Sequence, residues 1–132
     1  KTIMISIILK LLFYDPQNYF LEDEINEYNK IFDDAIHGDG LVRYTSSFPK
    51  QRFIQYISIS RNVLLHGSNN RFIQTFETRR QTLYNGKYID AVFATKDGIW
   101  PAFYAVFDKS KLQGNMRNAC LETRRGRKFY FF

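Results

Sequence analysis

The apolar positions of this chain recur with more than one period, and each period predicts a different element. Residues Thr2 to Phe13 are apolar except for Ser6 and Lys10. The run reads as a buried core helix, because a span across a bilayer requires roughly 20 apolar residues. Further along, Leu21, Ile25, Tyr28, Phe32 and Ala35 are spaced by four, three, four and three, which sets them on one helical stripe. Asp15 and Pro16 offer N-cap and first-turn chemistry for that helix. Glu22, Asp23, Glu24 and Glu27 complement the positive end of its dipole, and Gly38 and Gly40 stop it.

After the glycines, Ser46 or Ser47 can cap a helix with Pro49 in its first turn. It runs to about Ser60 and buries Phe53, Ile54 and Ile57, although the Ile57-Ser58-Ile59-Ser60 alternation also fits a strand. The pattern then changes. Val63 to Leu65 reads as a short strand that ends in the turn-rich His66-Gly67-Ser68-Asn69-Asn70. Tyr84-Asn85-Gly86-Lys87 predicts a hairpin, since Asn-Gly tolerates the positive φ angles of a type I′ turn. Tyr88 to Thr95 forms the next strand, Asp97 caps a helix that carries Pro101 early, and Lys128 to Phe132 forms a last strand. The expected fold is α+β in one domain, mainly helical over residues 1–60 and mixed over 61–132, with N-terminal helices packed on a mostly antiparallel sheet.

Composition supports a folded chain: 132 residues are 45% hydrophobic, with thirteen Phe and nine Tyr, far from the composition of disordered segments. Cys120 is the single cysteine, so no intramolecular disulfide is possible and a reducing, cytoplasmic setting is expected. Tyr14, Asp15 and Pro16 follow the first apolar run where a secretory leader would carry small residues. No membrane partner is expected.

Charge is uneven along the chain. Up to Gly40 there are eight acids against three bases, and from Leu41 onward sixteen bases against five acids. The basic part suits a nucleotide or another anionic ligand, nucleic acid included. Arg117, Arg124, Arg125, Arg127 and Lys128, followed by Phe129 to Phe132, combine phosphate-seeking charge with aromatic faces. The bland alternative is a basic loop entering a buried strand. A third reading is a non-catalytic interaction protein whose acidic helix, Pro16 to Ile36, docks against the basic remainder.

Several chemistries lack their residues. His37, His66 and Cys120 give no metal-finger spacing, and there is no Gly-x-Ser-x-Gly, Walker or Gly-x-Gly-x-x-Gly motif. The carboxylates at the start of the acidic helix are consecutive, so they point in different directions and read as structural, not as a metal or acid/base site. No metal is expected.

One pair of segments carries a resemblance. Leu64-Leu65-His66-Gly67-Ser68 and Ala91-Val92-Phe93-Ala94-Thr95, the latter followed by Ala102-Phe103-Tyr104-Ala105, resemble the His-Gly-Ser branch of the ADP-ribosyltransferase-like superfamily over residues 62–107. The resemblance implies an ADP-ribosyltransferase-like sheet, incomplete at the C-terminus, and NAD or a related nucleotide as cofactor. It implies that His66 bonds a ribose hydroxyl, that Gly67 brings bare backbone to a carboxamide and that Ser68 assists. It also implies that Tyr104 stacks on the nicotinamide and that Arg79 and Arg80 meet the pyrophosphate.

The chain departs from the family in two places. Val92 stands where the branch carries a tyrosine, which removes one stacking ring. The transferase glutamate, needed beside an oxocarbenium-like centre, has no match, since Glu122 precedes the last predicted strand. The catalytic residues are therefore unassigned, and transfer from NAD is expected only of a fuller chain.

Overall fold

A computed structural model describes every residue but Lys1, Gln17, Tyr84 and Asn115, and every side chain among them but those of residues 2–6 and Lys109. The described residues form four α-helices, α1 (Thr2–Leu12), α2 (Glu22–His37), α3 (Lys50–Ser60) and α4 (Ile99–Val106). The strands are β1 (Arg79–Thr82), β2 (Tyr88–Ala91), β3 (Ala119–Glu122) and β4 (Lys128–Phe131), with a 3-10 turn at Lys109–Lys111. The α+β class and the antiparallel pairing are as expected. However, the strands form two separate two-stranded ribbons, β1–β2 and β3–β4, where one sheet was expected. Of the expected strands, Val63–Leu65 and the end of the Tyr88–Thr95 run supply a single bridge and no ladder. The chain divides into two compact units: a central one, Phe20–Asp108, and a terminal one made of Lys1–Tyr19 and Lys109–Phe132.

In the central unit, α2 and α3 pack through Tyr28, Ile31, Phe53, Tyr56 and Ile57, all buried. Tyr28 is fully buried, and the rings of Phe20, Phe48 and Phe53 meet it edge-on at centroid distances of 5.5–6.5 Å. Each such pair adds about 0.5–1.5 kcal/mol to the area it buries. Ile25 and Phe32 of the predicted stripe pack at the margin of this core, while Leu21 is exposed.

The second helix starts at Glu22 and not at Pro16. One local bond and one long-range pair explain the shift. Glu24 reaches back so that its carboxylate accepts the Leu21 N–H (3.3 Å), and Asp15, the expected cap, pairs with Arg127 instead. At the other end, Gly40 takes φ 79° and its N–H donates to the Ala35 carbonyl, as the glycine break predicts. The third helix begins after Pro49 without a side-chain cap, because Ser46 Oγ accepts from the Phe48 N–H before the helix opens.

In the terminal unit, Tyr14 and Tyr130 exchange backbone bonds of 2.7 and 2.8 Å, which adds one extended residue beside β4. Phe129 and Tyr130 are buried, and the Phe13 ring meets Phe131 edge-on at 5.9 Å. The helix expected over Thr2–Phe13 is present, but among its described side chains Ile7, Ile8, Leu11 and Leu12 are exposed, where a core helix was expected to bury them. Half-buried Leu9 and Phe13, one turn apart, explain this: α1 packs against β4 through a narrow stripe. Among the described residues no helix is long and apolar enough to cross a membrane.

The two hairpins share one turn geometry. In the second, Thr123 N–H donates to Arg127 O and Gly126 N–H to Thr123 O, with Gly126 at φ 76°. In the first, Leu83 N–H donates to Lys87 O and Gly86 N–H to Leu83 O, with Gly86 at φ 78°. The expected hairpin is thus formed, but Asn85 does not take the positive φ of a type I′ turn; among the described residues of the turn only Gly86 is left-handed, as in a bulged loop. Tyr84 lies outside the described residues.

Candidate functional site

The residues around His66 are placed by one short antiparallel contact in the central unit. Leu65 and Thr95 exchange two backbone hydrogen bonds of 2.9 Å each. The bridge sets the His-Gly-Ser segment beside the end of Ala91–Thr95. Around it, Lys96 Nζ donates to Asn62 Oδ1 (3.0 Å), and Thr95 Oγ1 accepts from the Asp97 N–H (3.0 Å).

His66 makes one polar contact, at 2.7 Å between Nδ1 and the Phe93 carbonyl oxygen. A carbonyl oxygen only accepts, so Nδ1 carries the hydrogen. In the neutral ring Nε2 is then an acceptor, and it has no protein partner among the described residues. The Phe76 ring stands edge-on to the imidazole at a centroid distance of 5.1 Å and is 60% exposed. Sequence reasoning missed Phe76. Its signal is a large aromatic in the otherwise polar stretch between Gln74 and Gln81.

Gly67 is set by packing. A Cβ built there would lie 2.4 Å from the Pro101 carbonyl oxygen and 2.5 Å from its Cα, so this backbone touches the first turn of α4 directly. Tyr104 lies three residues beyond Pro101 on the same helix, half-buried, with its ring edge-on to Phe103 at 5.1 Å. The start of α4 is itself fixed on α3: the Gly98 N–H donates to Ser58 Oγ (3.2 Å), which donates to the Gln55 carbonyl (2.7 Å). Asp97 Oδ1 accepts the Ile99 N–H (3.2 Å), so its capping role is close to the one expected, with Gly98 as the boundary residue.

The remaining candidates are less concentrated. Ser68 Oγ accepts the Asn70 N–H at 3.1 Å, a local turn that leaves its hydroxyl hydrogen available. Arg79 and Arg80 are adjacent on β1 and both exposed, and neighbouring strand residues project from opposite faces. Arg80 shares a face with Asp90, its cross-strand partner, and lies 4.6 Å over the Tyr88 ring. Arg79, opposite Ala91, has no partner among the described residues.

The clearest electrostatic feature lies elsewhere in the same unit. Glu24 is 1% exposed, and its carboxylate accepts from Arg52 Nε (2.6 Å), Arg52 Nη2 (2.8 Å) and the Tyr28 hydroxyl (2.8 Å). The Arg52 fork holds its carboxyl below the usual range against the opposing pull of burial. Burial, with the Glu24 bond second, pushes the Tyr28 phenol up. All of these bonds are made within the protein, so the cluster is a structural clamp. Among the described residues no group of three His, Cys, Asp or Glu side chains could hold a metal ion.

No protein-family model, curated protein or solved structure matches this chain.

Proposed function

We propose that the central unit binds a nucleotide bearing a flat heterocycle, NAD or a close relative, beside His66, and that the chain is related to the ADP-ribosyltransferase-like proteins its sequence resembles. One observation carries the reading: the Leu65–Thr95 bridge sets His66-Gly67-Ser68 beside Phe93 and leaves His66 Nε2 as an unpaired acceptor. A ribose hydroxyl is a fitting donor to such a nitrogen. The exposed Phe76 ring next to it suits a π-faced ligand, and Arg79 is an available cation for phosphate. The reading is one of binding: transfer of ADP-ribose needs a carboxylate beside the developing positive charge, and no residue is assigned to that role.

A thermal-unfolding titration with NAD tests it. A ligand at one hundred times its Kd stabilises the folded state by about 2.7 kcal/mol, a shift of several degrees in a chain of this size. His66→Ala is expected to remove the shift. A wild-type chain that unfolds cooperatively and shows no response at millimolar NAD rules the reading out.

A further inference from the structure

The positive charge of this protein is concentrated in one of its units. The terminal unit carries nine basic residues against two acidic ones, a net of +7, whereas the central unit has ten against eleven. Each acid of the terminal unit stands near a base. Asp15 takes the Arg127 guanidinium through Nε (3.1 Å) and Nη2, and Glu122 stands directly across the ladder from Lys128. Arg124 and Arg125, at the tip of the β3–β4 hairpin, are exposed and have no partner among the described residues.

We infer that this hairpin tip is a contact for the phosphodiester backbone of duplex nucleic acid, made without regard to base sequence. Guanidinium forks match phosphate oxygens in geometry as well as charge, and a two-stranded ribbon is narrow enough to enter a major groove. The tip is preorganised. Gly126 holds the tight turn at φ 76°, and Arg127 is fixed between Asp15 and the Phe129 ring, 5.1 Å from its centroid. From Thr123 to Lys128 there is no apolar side chain, so the tip has nothing to place among lipid tails. That favours a soluble polyanion over a membrane surface. The inference is independent of nucleotide binding in the central unit.

The test uses the full chain and a fluorescein-labelled DNA duplex of about 20 base pairs, with anisotropy measured from about 50 to 200 mM salt. Wild-type protein is expected to bind with an affinity that falls linearly with salt on logarithmic axes. Arg124→Ala with Arg125→Ala is expected to weaken binding and to flatten that slope by about 1.8, the loss of two phosphate contacts. Lys30→Ala with Arg71→Ala, two exposed charges of the central unit, is expected to leave the slope unchanged. The inference is overturned if the duplex is not bound, if both double variants lose affinity alike, or if phosphatidylserine vesicles are bound and the duplex is not. Circular dichroism of each variant shows whether a lost interaction reflects a lost fold.

Discussion

Gly67 and Pro101 meet backbone to backbone: a methyl group on Gly67 would sit 2.4 Å from the Pro101 carbonyl oxygen. The glycine of the His-Gly-Ser segment therefore has a packing reason to be a glycine, apart from any ligand. Neither neighbouring group is a flexible side chain, so a Cβ there forces the turn away from α4. Gly67→Ala is expected to destabilise the central unit by about 1–3 kcal/mol, the usual range for overpacking, read by urea denaturation. Gly98→Ala, whose Cβ would lie 2.8 Å from the Ile54 carbonyl oxygen, is expected to act in the same direction. If Gly67→Ala keeps full stability yet loses a response to NAD, its role lies in the ligand site and not in packing.

The Glu24–Arg52 pair makes a prediction about pH. The folded-state pKa of Glu24 lies below its ordinary value of 4.5, so the unfolded chain takes up the proton more readily. The stability contributed by the pair is complete above that ordinary value and is lost as pH falls through the lower, folded one. Glu24→Gln should therefore show a flatter decline of stability below about pH 5 than the wild type. At pH 7 it is expected to cost about 3 kcal/mol, the low end for breaking a buried pair, since Arg52 keeps 23% of its side chain in solvent. Parallel acid-limb curves of the two proteins would show that the pair does not govern this limb.

What the sequence revealed, and what it concealed, follows from the range of the interactions. Tyr28, Ala35, Phe53 and Ile57 were legible as buried because one helix face fixes their period, and Gly86 because a tight turn demands a left-handed residue. Glu24 was legible only as a carboxylate complementing the helix dipole, since its partner, Arg52, lies 28 residues away in the chain and nothing local announces it. Glu-Thr-Arg-Arg makes the same point. It occurs at residues 77–80, where the arginines enter β1, and at residues 122–125, where they form a turn. For the candidate site, the segments were legible and their adjacency was an expectation. The Phe93 carbonyl and the Phe76 ring were not legible, because backbone acceptors and loop aromatics leave no spacing to read.

The bond from His66 to Phe93 separates two roles of the imidazole. An asparagine side chain places its NH2 near the position of Nδ1, so His66→Asn can keep the bond to the carbonyl while losing the Nε2 acceptor. It is expected to unfold within about 1 kcal/mol of the wild type, the net worth of an ordinary hydrogen bond, and to lose the NAD response. Nitrogen-15 spectra of the wild-type imidazole are expected to show the hydrogen on Nδ1 at pH above the ordinary histidine range. A spectrum with the hydrogen on Nε2 would contradict the bond and remove the acceptor on which nucleotide binding rests.

Phe76 offers the last and sharpest division between packing and recognition. Its side chain is largely in solvent and its ring stands at 71° to that of His66, so it contributes little to the core and leaves aromatic surface open. Phe76→Leu retains apolar bulk and removes that surface. The variant is expected to match the wild type in unfolding midpoint without ligand and to bind NAD about ten-fold more weakly, consistent with a stacking contribution of about 1–3 kcal/mol per base in aromatic sites. Isothermal titration measures the second quantity directly. Unchanged affinity beside a lowered midpoint would assign Phe76 to holding the His66 loop in place, and the flat ligand would then have to be met by Phe93 or Tyr104.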